Sequence, residues 1–485
     1  MINDGNHIFG YHIATSERTI LLNWLETGFA NVQDSHVTLL DDGRIAVLFS
    51  GWRDGEWNTS LYILEPTHRD DLPERIILTL GGMWLSGKII EAVADFNRES
   101  QTHQIQVHDY ATYGMGDDWQ AGFLRLRMEL MTGGGPDIIY RAEGLLADRG
   151  LLLDLYPFMD ADIDLARTDF LPNVLAALEG ENSSLPMIAK SFSIHTMIGK
   201  TEAVGHIQSW SFSDFLRLVE DSEHIDYLLG DGIRGNREWF LRESLMYAGP
   251  ELINWYTLES NLDSEAFVHL LEISSRLPAT QEHTTSGEYV SEYARMLRGE
   301  QLISVVFLPN ADSYQELVVA LGEVSALGMP TEEGGSHVIQ LNGYMGINAA
   351  TNHAEDAWVF LRQFLLPTAD SGWGFPIRID QYDAKIFEAK TPLLDTDEEG
   401  NKIELPRGDA WFGDGLHIEL FSMTDEVANS LWKIVETARP MGRFDQGLWD
   451  IVQEEIPPFF AEDRTAEETA RIIQNRVQTF LSERR

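Results

Sequence analysis

The sequence predicts an α/β protein with more than one hydrophobic core, preceded by a small β-meander, and three observations support this. The chain has 485 residues, well beyond the roughly 100–200 that one core usually supports. From residue 75 onward, strand-like and helix-like segments alternate, which is typical of a parallel sheet covered by helices. Before that point, short β-rich segments are separated by Asp-Gly turns.

The meander and a linker are expected to occupy residues 1–72. Asp42-Gly43 and Asp54-Gly55 suit tight hairpin turns. The β-rich segments that they separate are 37–40, 45–49 and 61–64. Three strands alone are marginally stable. The meander is therefore expected either to pack on the main body or to be the tail of a larger β-domain.

A βαβαβ unit is predicted next. Strand 76–80 is followed by a helix that begins near Ser86, a good N-cap residue. A second strand covers 105–107, and a second helix, 118–131, ends at a Gly-rich segment before a third strand at 137–140.

Later elements are marked by caps and by helical spacing. Ser211 and Asp214 form a predicted capping box, as do Thr465 and Glu468 at the start of the last helix. Residues 341–347 are predicted as one strand, and 354–366 as an amphipathic helix.

Composition excludes several classes of protein. The 35 basic and 78 acidic residues give a net charge of −43, which repels nucleic acid and anionic membranes. Without cysteine, disulfides and thiol chemistry are excluded. Residues 1–5 do not form a basic and then apolar leader, so a secretory signal, if one exists, is expected to have been removed or to lie upstream.

Motifs for cofactors and metals are incomplete. Gly199-Lys200-Thr201 lacks the earlier glycine of a phosphate loop. The acidic turns at 160–164 and 395–400 resemble the start of a calcium loop but lack its final glutamate, so calcium stays open at both. No histidine pair has zinc-ligand spacing. No cofactor and no resident metal are therefore expected.

Five segments carry a family resemblance, in order along the chain. They are strand, loop and helix 78–96; GGPDIIY at 134–140 followed by GLLLDLYP at 150–157; 185–199; GYMGINAA at 343–350 with the helix after it; and the last helix. Together they resemble the maltodextrin-binding-protein-like family 1 of extracellular solute-binding proteins from sugar-importing ABC transporters.

The resemblance implies a periplasmic-binding-protein-like two-lobed fold with a hinge and an interlobe cleft. Lobe 1 is expected at 73–185 plus 308–370, and lobe 2 at 186–307 plus 371–485. The chain is expected to cross between the lobes near 184–188, 303–307 and 369–376. Hinge closure around a ligand is a known device of such proteins.

Carbohydrate recognition needs aromatic planes and polar side chains that bond hydroxyl groups. Trp84 follows the first strand of the α/β region, where the family has its first ligand loop; core packing is the alternative. Arg141 stands where the maltodextrin binder has a stacking aromatic, and a surface ion pair with Glu143 is its alternative. The ten candidate ligand contacts are Trp84, Tyr113, Arg141, Glu143, Lys190, Phe307, Asn310, Trp373, Arg378 and Trp449.

The resemblance implies a bacterial lipoprotein or periplasmic protein, monomeric and non-catalytic, that binds a mono- or oligosaccharide outside the cell. Its partners would be the permease subunits of an ABC transporter. Two alternatives stay open, a glycoside hydrolase and a surface module for carbohydrate sensing or adhesion. A glycosidase needs two carboxyl groups at about 5 or 6.5–9.5 Å, which a sequence cannot measure.

Overall fold

The computed structural model describes the whole chain except residues 1, 4–6, 13–14, 16, 31–34, 54–55, 69–73, 115–119, 142–149, 181–182, 208–209, 223–228, 230–235, 249–250, 256, 280–289, 333, 368–373, 398, 413–414 and 484–485. The chain divides into two compact units. Unit 1 comprises Met1–Phe158 and Met345–Phe364, and unit 2 comprises Met159–Tyr344 and Leu365–Arg485. These bounds differ from the predicted lobe boundaries, which stay predictions.

The strands in chain order are β1 (Ile2–Asn3), β2 (His7–His12), β3 (Glu17–Asn23), β4 (His36–Leu39), β5 (Ile45–Arg53), β6 (Glu56–Leu64), β7 (Ile76–Gly82), β8 (His103–Asp109), β9 (Ile138–Tyr140), β10 (Ser191–Lys200), β11 (Ile253–Asn254), β12 (Glu259–Ser260), β13 (Ile303–Leu308), β14 (Val324–Ala326), β15 (Val338–Asn342), β16 (Met345–Ile347), β17 (Phe375–Pro376), β18 (Leu393–Thr396), β19 (Lys402–Leu405), β20 (Gly408–Trp411), β21 (His417–Leu420) and β22 (Arg439–Pro440).

The helices are α1 (Gly87–Glu99), α2 (Gln120–Met131), α3 (Tyr156–Ala161), α4 (Pro172–Leu178), α5 (Thr201–Val204), α6 (Phe212–Asp221), α7 (Arg237–Tyr247), α8 (Glu265–Arg276), α9 (Glu292–Arg298), α10 (Ala311–Leu321), α11 (Ala354–Leu361), α12 (Ile379–Lys390), α13 (Asp425–Thr437), α14 (Gln446–Phe460) and α15 (Ala466–Ser482). None in the described part of the chain is long and apolar enough to cross a membrane.

The α/β part of unit 1 is built on a four-stranded sheet in the order β16-β9-β7-β8. Strand β7 is parallel to both β8 and β9, and β16 is antiparallel to β9. The predicted βαβαβ unit is thereby confirmed, because a parallel pair requires a crossover connection, here α1 and α2. Ser86 caps α1 by accepting a hydrogen bond from the Ile89 amide.

The N-terminal segment forms two three-stranded antiparallel sheets, β1-β2-β3 and β4-β5-β6. Strands had been predicted from the sequence only in the second of these sheets. Ile8, Trp24 and Val47 form the core of the segment. Asn97 and Arg98 of α1 donate side-chain hydrogen bonds to the carbonyls of Leu25 and Gly28, at 3.0 and 2.9 Å. The N-terminal segment therefore contacts α1, and whether it belongs to a larger β-domain stays a prediction.

Unit 2 is built on a sheet in the order β13-β10-β15-β22, with β14 and β17 also paired to β10. Its main core contains the aromatic residues Phe215, Phe240 and Phe267. The segment 303–307, predicted as a crossing between lobes, lies within β13, which pairs with β10 throughout. Both predicted capping boxes are present, at the starts of α6 and α15.

One predicted element was wrong. Residues 341–347 were expected to form one strand, but β15 ends at Asn342 in the sheet of unit 2 and β16 begins at Met345 in the sheet of unit 1. Gly343 has φ +70°, a conformation that residues with a side chain rarely adopt. The turn at Gly343 therefore separates two strands where the chain passes from unit 2 to unit 1.

Candidate functional site

Three of the ten candidate residues follow adjacent strands of the unit 1 sheet. Trp84 follows β7, Tyr113 follows β8, and Arg141 follows β9 directly. These strands are parallel, so their carboxyl ends share one edge of the sheet, the position where α/β sheets commonly bind ligands. Trp84, Tyr113 and Arg141 at this edge are called the unit 1 edge.

The loop that carries Trp84 is fastened by one carboxylate. Asp109 Oδ1 accepts hydrogen bonds from the Trp84 and Ala111 amides, at 3.1 and 2.9 Å. Asp109 Oδ2 lies 3.3 Å from the Leu85 amide nitrogen, which donates to it. Trp84 has φ +49° and is 49% exposed. A strained backbone persists only where its surroundings hold it, and here the Trp84 and Leu85 amides both donate to the Asp109 carboxylate.

Arg141 also has a positive φ, of +56°. Its guanidinium carbon lies 6.0 Å from the centroid of the Trp84 ring, at the outer limit of a cation–π contact. The preceding residue anchors it, because the Tyr140 hydroxyl lies 3.1 Å from Oγ of Ser86, the N-cap of α1. Two strained residues from neighbouring strands thus place an exposed indole beside an exposed guanidinium.

Tyr113 belongs to an aromatic cluster. Its hydroxyl lies 2.8 Å from His108 Nε2, and the Arg125 guanidinium lies 3.7 Å from its ring centroid. His108 stacks on Tyr110 with centroids 4.5 Å apart. Hydrogen bonds from the Tyr110 hydroxyl and from Arg125 hold the pKa of the Glu129 carboxyl below its usual range. The phenol is therefore positioned by neighbours on both sides.

The unit 1 edge suits a neutral polar ligand. Its indole offers an apolar face, its guanidinium offers several hydrogen-bond donors, and its phenol can both donate and accept. Within the described ranges, no group of three or more His, Asp or Glu is arranged to hold a metal ion. The two acidic turns also use their carboxylates internally: Asp160 pairs with Arg167 at 2.8 Å, and Asp397 accepts the Asn401 amide at 2.8 Å.

Two candidates lie in or directly beside the unit 2 sheet. Lys190 directly precedes β10, and its amide donates to the Asn342 carbonyl at 3.3 Å. Phe307 lies in β13 opposite His195, with ring centroids 4.9 Å apart. Both side chains are partly buried.

Three other candidates of unit 2 make structural contacts. Asn310 caps α10, its Oδ1 accepting the Ser313 amide at 2.9 Å. Arg378 is 7% exposed and donates to both carboxylate oxygens of Asp380, at 2.9 and 2.8 Å. Trp449 is 7% exposed in the core of unit 2. These contacts weigh against ligand roles for the three residues. The ligand roles themselves stay predictions. Glu143 and Trp373 lie outside the described residues.

Sequence reasoning missed two groups of polar residues. Asp109 ends β8, and a carboxylate at a strand end was the available signal. His195 lies within the nearly fully buried strand β10, with Nε2 2.5 Å from Gln340 Oε1 and Nδ1 3.3 Å from the Tyr247 hydroxyl. That hydroxyl also bonds Glu243 at 3.1 Å.

Comparisons with known proteins give a likeness in structure only. No family model matches the chain, and no curated protein matches it. The sugar-binding protein MalE from the phytopathogen Xanthomonas citri is 12% identical, with 84% of this chain and 98% of that chain covered at a TM-score of 0.55.

Two further structures cover as much of the chain at lower TM-scores. An extracellular solute-binding protein family 1 member from Alicyclobacillus acidocaldarius is 14% identical over 84% of this chain and 99% of that chain, at a TM-score of 0.49. The maltose/maltodextrin-binding domain MalE from Bdellovibrio bacteriovorus is 14% identical over 84% and 100%, at 0.45. The Xanthomonas likeness confirms the predicted fold class. The chain therefore has the α/β fold of the two-lobed, periplasmic-type sugar-binding proteins.

Proposed function

We propose that this protein binds a small neutral carbohydrate and delivers it to the permease of an ABC transporter, without chemical turnover. The unit 1 edge carries the proposal, because an exposed indole and an exposed guanidinium stand beside each other on two residues with strained backbones. The MalE protein with which this chain shares its fold is described as sugar-binding. A role outside the cell membrane, as a monomer and as a lipoprotein or periplasmic protein, belongs to the same proposal.

The preorganisation of the edge supports binding. A ligand that meets loops already held in place does not lose affinity to their ordering. The Asp109 carboxylate accepts a hydrogen bond from the Trp84 amide at 3.1 Å, so the backbone that carries the indole is held in place before a ligand binds. Cationic and neutral donors suit hydroxyl groups better than they suit protonation of a glycosidic oxygen.

A thermal-shift screen against mono- and oligosaccharides tests the proposal, because a ligand that binds only the folded protein raises its melting temperature. At least one sugar should raise it, and titration calorimetry should then give a saturable isotherm. No response to any neutral sugar would contradict the proposal. Chromatography of the sugar after long incubation with the protein should show it unchanged. Shortened product would favour the glycoside hydrolase instead.

A further inference from the structure

The outward face of the β20–β21 hairpin is formed by four side chains in two opposed pairs. Trp411 lies directly opposite His417, and Asp409 lies opposite Glu419. Alternate residues point to opposite faces of a strand. Those on the other face of β21, Ile418 and Leu420, are buried at 9% and 6% exposure. The four outward residues, Asp409, Trp411, His417 and Glu419, are called the Trp411 platform.

Trp411 is 70% exposed, yet it is held in place. The His417 ring stacks against it, with centroids 4.0 Å apart and an interplanar angle of 24°. The indole Nε1–H donates to Asp409 Oδ2 at 2.9 Å, and His417 Nε2 lies 3.2 Å from the same oxygen. The polar edge of the indole is thus satisfied within the platform, and what it presents to solvent is a fixed apolar plane.

A fixed aromatic plane beside carboxylates matches the chemistry of a sugar. The C–H face of a pyranose packs on an aromatic ring, and its hydroxyl groups donate hydrogen bonds to carboxylate oxygens. An aromatic side chain already held in its binding geometry loses little conformational entropy on contact. Single exposed apolar residues are common on protein surfaces, but they do not need a stacked imidazole and a shared carboxylate to hold them.

Local charge selects among possible ligands. Residues 393–420 contain the β18–β19 and β20–β21 hairpins. They carry eight acidic residues (395, 397, 398, 399, 404, 409, 414 and 419) and two basic ones (402 and 407). Anionic glycans and anionic lipid surfaces are therefore repelled, whereas an uncharged sugar has no such penalty.

We propose that the Trp411 platform is a second carbohydrate site, which binds a chain of neutral hexose or pentose units and is distinct from the unit 1 edge. A single stacked sugar on an open surface binds weakly. A polymer offers many equivalent units, so the effective concentration at the platform is high. The platform would hold the protein near polymeric carbohydrate, and the proposal does not depend on the function proposed for the unit 1 edge.

Affinity electrophoresis in native gels tests the platform, with soluble starch, dextran, xylan or galactomannan cast into the gel. At least one of these polysaccharides should retard the wild-type protein. Trp411→Ala should lower the association constant for that polysaccharide roughly fivefold or more, because loss of a central aromatic contact commonly has an effect of this size. The matched control is Phe387→Ala, which removes a 72% exposed aromatic of α12 outside the platform. It should be retarded like the wild type.

Trp84→Ala separates the two proposals. If the platform acts alone, this variant keeps its retardation while small sugars lose affinity. Retardation lost in Trp84→Ala but kept in Trp411→Ala would overturn the platform and leave the unit 1 edge as the site. No retardation in any of the four gels would overturn the platform as well. Retardation that depends on Trp411 in a protein that binds no small sugar would uphold the platform and contradict the proposed function.

Discussion

At the scale of single residues, the unit 1 edge depends on two strained positions and one carboxylate. Trp84 and Arg141 both have positive φ, and neither is a glycine. Such strain costs about 1–3 kcal/mol per residue. Asp109 offsets part of that cost at Trp84 by accepting hydrogen bonds from the Trp84 and Leu85 amides.

The first prediction concerns Trp84. Trp84→Ala should weaken sugar binding roughly tenfold or more, because central aromatic contacts commonly carry an outsized share of affinity. The melting temperature should change little, since the side chain is 49% exposed. Titration calorimetry with the best sugar from the screen measures the loss, and Phe387→Ala serves as the control. Unchanged affinity would remove Trp84 from the site.

A second prediction concerns Asp109 as a positioning residue. Asp109→Asn weakens the charge-assisted hydrogen bonds to the Trp84 and Leu85 amides, so affinity should fall. If the carboxylate acts through Trp84, the same change in the Trp84→Ala background should cost far less affinity. Equal losses in both backgrounds would show that Asp109 acts elsewhere.

A third prediction concerns His337. Burial lowers its pKa from 6.5 to about 4, so folding favours the neutral ring. The unfolded chain binds the proton below pH 6.5, and stability is therefore lost as the pH falls from about 6.5 towards 4. Between pH 7 and pH 5 the loss should be about 2 kcal/mol. Urea unfolding at both pH values measures it, and His337→Gln should lose less than the wild type. Equal losses would contradict the assignment.

At the scale of elements, caps and strand ends follow sequence rules closely. The box at the start of α15 is typical: the Glu468 amide donates to Thr465 Oγ1 at 3.2 Å, and the Thr465 amide donates to Glu468 Oε2 at 3.3 Å. The helix buries Ile473, Val477 and Leu481 in the core of unit 2. The capping box therefore determines where the helix begins, and packing against the core of unit 2 determines which face of the helix is buried.

A fourth prediction follows for this cap. Thr465→Ala should lower the free energy of unfolding by about 1 kcal/mol, the usual cost of an N-cap threonine. Thr479→Ala, an exposed change within the same helix, is the matched control and should be neutral or slightly stabilising, since alanine is the better helix former. Chemical denaturation followed by circular dichroism compares them. If both variants lost a similar free energy of unfolding, the Thr465 cap would not be the cause of the loss.

At the scale of the whole molecule, the net charge of −43 governs which ligands can approach. A neutral sugar has no net Coulomb interaction with this field, so screening by salt should leave its affinity nearly unchanged. The fifth prediction is a change below about twofold in Kd between low and high ionic strength. Calorimetry in about 50 and about 500 mM sodium chloride measures this change. A strong salt dependence would indicate a charged solute.

Local patterns in the sequence determined the class of the fold, the strand and helix order of the βαβαβ unit, and the caps at Ser86, Ser211 and Thr465, because each depends on neighbours within a few residues. They also placed Trp84, Tyr113 and Arg141 after parallel strands, which was enough to bring the three to one edge. Only the tertiary structure decided the rest. Trp449 is a residue type suited to a sugar site, but long-range packing places it in the core of unit 2, whereas Asn310 and Arg378 make contacts with residues two or three positions away. The Asp109 clamp joins residues 25 positions apart, and the strands before and after Gly343 pair with distant partners in two different sheets, so both features depend on residues far apart in the chain.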